Sequence, residues 1–178
     1  GPGATNLVTG IANAQRDSSS IVAITGQVAS SVLGTDFFQE VDTTGITMPI
    51  TKHNYLVTDF NDLALAVKEA FHLARTGRPG AVLLDIAKDV QQNVIDFEYP
   101  KEVSLSGYKP HLFGNVRQIK QAGEMINHSE RPVVVAGRGI IIAKAFSELL
   151  TLVEKAQLPV VTTLLGKSDL PEDHPLCL

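Results

Sequence analysis

The sequence has no tryptophan, two methionines and a single cysteine, Cys177. One thiol cannot close an internal disulfide and has no second sulfur to share a zinc knuckle, which excludes a disulfide-stapled secreted scaffold and suits a reducing compartment. Positive charge is not in excess either: 15 basic against 19 acidic residues give a net charge of −4 and a pI near 5.7. Binding a nucleic-acid backbone calls for a clustered basic surface, so nucleic acid is not an expected partner. Long apolar runs are missing as well. Ile21 to Ile24 and Ile140 to Ala143 fall far below the ~20 residues of a membrane-spanning helix, and no membrane segment is expected. The histidines at 53, 72, 111, 128 and 174 share no metal-ligand spacing with one another or with Cys177. Ser18 to Ser20 lack the strand–elbow–helix setting of a nucleophile, so no hydrolase triad can be argued.

What is present is 178 residues, 44% of them hydrophobic, enough for one ordinary domain or two small ones. Ala4, Leu7, Val8, Ile11 and Ala12 recur with helical spacing and predict a helix over 3–16. Ile21 to Thr25 is a β-branched apolar run of the kind found in strands buried on both faces. A turn-like stretch spans 36–41, and 53–57 suits a second strand. Asp59 to Asp62 resembles a cap for a helix over 60–76, and Ala81 to Ile86 is another all-apolar strand with Asp85 near its carboxyl end. Between Gln91 and Phe113 periodicity disappears, which predicts a linker at 98–113 separating regions 1–97 and 114–178. Beyond it, Asn115 caps a helix ending near His128, whose Val116, Ile119, Gly123 and Ile126 mark one face. A strand at 132–136, a helix around Phe146 to Val153 and a strand at 158–163 follow. Alternating strands and helices predict an α/β fold: parts of two doubly wound parallel-sheet domains.

Gly137-Arg138-Gly139 follows a strand, as a phosphate-binding loop does, but the third glycine of the full fingerprint is Ile142. These residues suit a plain strand-to-helix turn as well as a nucleotide contact. Gly166-Lys167-Ser168 imitates the end of a Walker A loop, yet Val161 stands where the first glycine belongs, so a sharp turn is expected. Glycines, an amide and an arginine gather at strand ends in Gly1 to Asn6, Thr25 to Gln27, Gly34 to Glu40 and Gly77 to Gly80. Such places in doubly wound sheets suit an anionic cofactor.

These stretches, with Thr51-Lys-His53, Glu69-Ala-Phe71, Lys88-Asp89, Thr162-Thr-Leu164 and Glu172-Asp-His-Pro175, resemble the large subunit of acetolactate synthase, a thiamine-diphosphate enzyme. The resemblance covers essentially the whole chain. Ala29, Phe37, Ala87, Arg138 and Lys167-Ser168 depart from the family pattern. It implies a fragment holding the second half of a pyrimidine-binding domain (1–97), the linker, and the first part of a central, FAD-associated domain (114–178). The implied reaction joins a two-carbon unit from pyruvate, carried on thiamine diphosphate, to a second 2-oxo acid (pyruvate or 2-oxobutyrate). The product is acetolactate or acetohydroxybutyrate, for branched-chain amino acids. Glyoxylate carboligase, another thiamine-diphosphate enzyme, and a non-catalytic nucleotide-binding module are alternative readings.

Carried over by position, Pro2 and Asn6 lie near the pyrimidine, Phe38 and Gln39 beside the reactive carbon, and Lys88 near the substrate entrance. Arg78, Gly137, Arg138, Gly139, Thr163, Leu164 and Leu165 lie against FAD. The resemblance implies Mg²⁺ ligands and a catalytic glutamate outside the fragment, which alone would be inactive. It also implies a homodimer or homotetramer, a possible regulatory small subunit, and a cytoplasmic location, or a plastid or mitochondrion in a eukaryote.

Overall fold

The computed structural model describes all 178 residues, as two units, Gly1–Leu112 and Phe113–Leu178. The first is built on a parallel sheet of β1 (Ile21–Gln27), β2 (His53–Val57) and β3 (Ala81–Ala87) in the order β1-β3-β2. Its helices are α1 (Pro2–Thr5), α2 (Val8–Arg16), α3 (Thr43–Thr47), α4 (Leu63–Arg75) and α5 (Lys88–Gln92).

β3 is central and buried along its entire length, as its apolar run, interrupted only by Asp85, predicts. Successive side chains point to opposite faces. Val82, Leu84 and Ile86 meet Ala66, Ala70, Leu73 and Ala74 of α4, where alanines let the helix approach closely. Ala81 and Leu83 meet Ile11 of α2 and, with Ile21 and Ala23, form a second cluster. Leu83 and Leu84 are fully enclosed, and each contributes about 1.5–3 kcal/mol by leaving water. Helices therefore cover both faces, the arrangement of a doubly wound sheet.

Several sequence expectations need correction. The helix expected over 3–16 is two, because Leu7 N–H bonds back three residues to the Ala4 carbonyl (3.0 Å) and interrupts the four-residue repeat. β1 is not buried on both faces: it is an edge strand, and Ile24 is 58% exposed. The helix expected over 60–76 begins at Leu63, since the Asp59 carboxylate accepts from Asn61 N–H (2.8 Å) and closes a separate turn. Thr43–Thr47 is an unforeseen helix, begun by the Asp42 carboxylate accepting from Gly45 N–H (2.8 Å).

No helix or strand lies between Gln92 and Val116. Part of this stretch is nonetheless tied to the first unit: Lys68 donates to the Lys101 carbonyl (2.8 Å), and Tyr108 donates to the Thr76 carbonyl (2.9 Å).

In the second unit, β4 (Val134–Ala136) and β5 (Val160–Thr162) pair in parallel, with α6 (Val116–His128), α7 (Gly139–Ala143) and α8 (Phe146–Ala156). Asn115 caps α6 as expected, accepting from Arg117 and Gln118 N–H. The face marked by Val116 and Ile119 is exposed, so α6 contributes no core residue. Both strands are shorter than their apolar runs because pairing begins at Val134 and Val160. Leu149 and Val153 of α8 pack with Ala136, Val160 and Leu170 to form the core.

Candidate cofactor site

Because β1 and β3 run in parallel, their carboxyl ends share one edge of the sheet. At that edge is a hollow of about 390 Å³ lined by Gly1, Pro2, Ala4, Ile24, Gly26 and Gln39, among others. The two chain segments touch there: a Cβ on Gly1 would sit 2.1 Å from the Gln39 carbonyl oxygen, so this contact requires glycine. Gln39 itself takes the left-handed conformation, φ 65°. Asn6 and Phe38 adjoin lining residues in sequence and are exposed, Phe38 by 79%. Lys88 opens α5 at the same edge, and its N–H meets the Val28 carbonyl.

The loop 28–42 that carries Phe38 and Gln39 is held at several points. Asp85, fully buried in β3, accepts from Thr25 Oγ1 and from Gln27 Nε2, each at 2.8 Å. Gln27 Nε2 also donates to the Val41 carbonyl (2.7 Å), while its Oε1 accepts from Val28 N–H (2.9 Å). Near the loop's start, the Asp89 carboxylate accepts from the Ser30 hydroxyl and N–H, which hold its pKa below the ordinary carboxylate value. Near its end, Glu40 accepts from the N–H groups of Gly34 and Phe37, and these backbone bonds lower its pKa too.

Residues 1–46 match the thiamine pyrophosphate enzyme N-terminal TPP-binding domain, and residues 119–178 match the thiamine pyrophosphate enzyme central domain. The chain carries parts of two domains found in thiamine pyrophosphate enzymes. It is 54% identical over 176 residues to the acetolactate synthase large subunit of Corynebacterium glutamicum, covering 99% of this chain and 28% of that protein. A probable acetolactate synthase large subunit of Methanocaldococcus jannaschii is 52% identical over 181 residues, 100% of this chain and 31% of that one. The acetolactate synthase of Arthrospira platensis is 52% identical over 180 residues, again 100% and 31%. The chain thus spans 28–31% of the length of these relatives.

The second unit carries a further candidate site. Gly137 to Gly139 leave β4, and Thr163 to Leu165 leave the adjacent β5. Thr163 N–H donates to the Ala136 carbonyl (2.8 Å), which joins the two segments into a backbone ledge on which Leu164 is 90% exposed. Gly166 supports the ledge, since a Cβ there would lie 2.7 Å from both the Ala136 carbonyl and Gly137 Cα. Beside it Asp169 is buried, neither carboxylate oxygen has a partner, and burial raises its pKa.

Arg78 is not brought to the hollow of the first unit. It precedes β3, donating Nε to Ser18 Oγ (2.8 Å) and Nη2 to the Arg16 carbonyl (3.3 Å), at the amino edge of the sheet. The seven-residue length of β3 separates the two edges by about 20 Å. No group of three His, Cys, Asp or Glu side chains is placed to hold a metal ion. No helix is long and apolar enough to cross a membrane.

Sequence reasoning did not assign Thr25, Gln27 and Asp85 a common task. An aspartate within an apolar strand was their visible signal, but they meet across about 60 residues of chain, which periodicity cannot read. Asp169 gave no signal at all.

Proposed function

We propose that this chain is part of an acetolactate synthase large subunit. The enzyme joins the two-carbon unit of pyruvate to a second pyruvate or to 2-oxobutyrate, giving acetolactate or acetohydroxybutyrate for branched-chain amino acids. The observation that carries the reading is identity above 50% to such subunits along the whole chain, across both matched domains. In this reading residues 1–97 are half of the pyrimidine-binding domain, 98–113 the linker and 114–178 the start of the FAD-associated domain.

The hollow at the carboxyl edge of β1 fits the aminopyrimidine end of thiamine diphosphate. Exposed Ile24 and Phe38 offer apolar surface for a ring, while Pro2 and Gln39 enclose the side. When bound, thiamine diphosphate supplies the carbanion chemistry that breaks and forms the carbon–carbon bonds. This chain's part is to bind and orient. Pro2 and Asn6 border the ring, Phe38 shields the reacting side from water, and the Gln39 amide donates to a substrate oxygen as it gains charge. Lys88, a cation at the same edge, attracts anionic 2-oxo acids toward the entrance.

The ledge of the second unit fits a flavin: Gly137, Arg138, Gly139, Thr163, Leu164 and Leu165 offer open backbone beside an exposed apolar side chain. Arg78 adds a guanidinium to FAD recognition, and FAD serves structure rather than redox turnover. Mg²⁺ does not fit any side-chain cluster of this chain and is held by other groups. The enzyme assembles as a homodimer or homotetramer, with a regulatory small subunit, in the cytoplasm.

The test is substrate choice by the complete enzyme. Pyruvate alone should give acetolactate, and pyruvate with 2-oxobutyrate should give acetohydroxybutyrate. Consumption of glyoxylate in preference to pyruvate would instead assign the chain to the carboligase reading.

A further inference from the structure

We propose that Asp85 is a positioning residue: through Gln27 it holds the loop 28–42, and with it Phe38 and Gln39, in register with Pro2. The inference rests on the cofactor reading of the hollow and adds to it a residue that touches neither cofactor nor substrate.

Asp85 is fully buried at the centre of the sheet, with Thr25 directly opposite on β1. Its acceptors are matched by two neutral donors, Thr25 Oγ1 and Gln27 Nε2. If tying β1 to β3 were the whole purpose, an apolar pair would do it at lower desolvation cost. What a carboxylate adds here is orientation, because both of its oxygens accept, from Thr25 and from Gln27. It admits the Gln27 side chain with its NH₂ toward Asp85, and the second N–H of that group then faces the Val41 carbonyl (2.7 Å). Reversed, the amide would set its oxygen against both Asp85 and the Val41 carbonyl. In the observed orientation that oxygen accepts from Val28 N–H (2.9 Å). One amide therefore fixes both ends of the loop, Val28 and Val41, and Asp85 sets its direction together with them. Between those ends Gln39 lies in backbone contact with Gly1. A change in the separation of the ends is transmitted to that contact.

The experiment compares three forms of the complete enzyme: wild type, Asp85→Asn, and the inverted pair Asp85→Asn with Gln27→Glu. In the inverted pair the amide introduced on β3 can donate to the carboxylate introduced on β1, which restores the strand-to-strand bond. That carboxylate cannot donate to Val41, so the loop stays released. Each form is measured for thermal midpoint, for amide hydrogen exchange over 34–41, and for kcat and KM. Asp85→Asn should speed exchange over 34–41 on the order of tenfold and lower kcat by about 10- to 100-fold, the scale for an ångström-level misplacement. The KM for thiamine diphosphate should stay within about threefold, since the loop acts on the reacting side. The inverted pair should regain the thermal midpoint without regaining loop protection or kcat.

Recovery of all three together would overturn the proposal, as would wild-type exchange over 34–41 in Asp85→Asn. If Asp85→Asn does not fold, Gln27→Met decides: it lacks the donor to Val41 and should release the loop in a folded enzyme, whereas unchanged loop exchange refutes the inference. Hydrogen exchange is independent of the reaction, so absence of acetolactate formation by the wild type would count against the functional reading alone.

Discussion

Asp169 is the most direct point at which the structure predicts a stability change opposite to that of most substitutions. It is 2% exposed, and neither carboxylate oxygen has a hydrogen-bond partner. An unsatisfied buried polar group costs about 1–3 kcal/mol, and a charged one more. Asp169→Asn keeps the shape and removes the charge, so the excess, about 1–2 kcal/mol, should appear as added stability near pH 7. Burial raises the Asp169 pKa in the folded state, so the native protein binds this proton more readily than the unfolded chain. Wild-type stability from this group therefore falls as pH rises from the unfolded carboxylate value, about 3.9, through the raised folded value. The asparagine variant lacks that slope. The gap between the two should be full above the folded pKa, shrink as pH falls through it, and vanish below the unfolded one.

Urea unfolding at a series of pH values reads this directly. At an m-value of about 2 kcal/mol/M, each kcal/mol moves the midpoint by about 0.5 M. A variant that is less stable than wild type near neutrality, or a gap that does not change with pH, would refute the reasoning.

Other outcomes follow from the same geometry. Gly166→Ala should destabilise the second unit by about 1–3 kcal/mol, because the new methyl meets backbone at 2.7 Å; an unchanged unfolding midpoint would contradict the close approach. Glu40→Gln should make the loop around Phe37 and Phe38 more susceptible to chymotrypsin near neutral pH. Since the backbone bonds lower the Glu40 pKa, the wild-type bracket is complete above the ordinary carboxylate value and is lost as pH falls through the folded one. Wild type and variant should therefore converge in acid, and cleavage by a protease active at low pH would measure it. In the complete enzyme, Gln39→Ala should lower turnover with flavin content intact, whereas Arg78→Ala should lose flavin first. Flavin loss from the Gln39 variant at normal turnover would contradict both assignments.

The parts of the fold that were legible in the sequence are those whose signal is local and repeated. The run from Ala81 to Ile86, apolar but for Asp85, reads as a buried strand because β3 is the middle strand. The helix over 60–76, apart from its first turn, and the Asn115 cap read equally well. β1 misled because an apolar run does not say whether its strand is central or at an edge. Thr43–Thr47 was invisible because threonine and glycine disfavour helix, and a single Asp42 cap with packing against the sheet outweighs that preference. The edge where Gly1 and Gln39 meet was suggested by polar strand ends, but their contact, and the bracket of Asp85 and Gln27 beneath it, depend on segments brought together by the sheet.

The central claim is that the hollow beside Pro2 and Gln39 serves thiamine-diphosphate chemistry on 2-oxo acids. It is tested most directly by acetolactate formation from pyruvate in the complete enzyme, with thiamine diphosphate, Mg²⁺ and FAD omitted in turn, for wild type and Gln39→Ala. The account predicts product that requires thiamine diphosphate and that falls sharply in the variant. Product formed without thiamine diphosphate, or equally fast by Gln39→Ala, would contradict it.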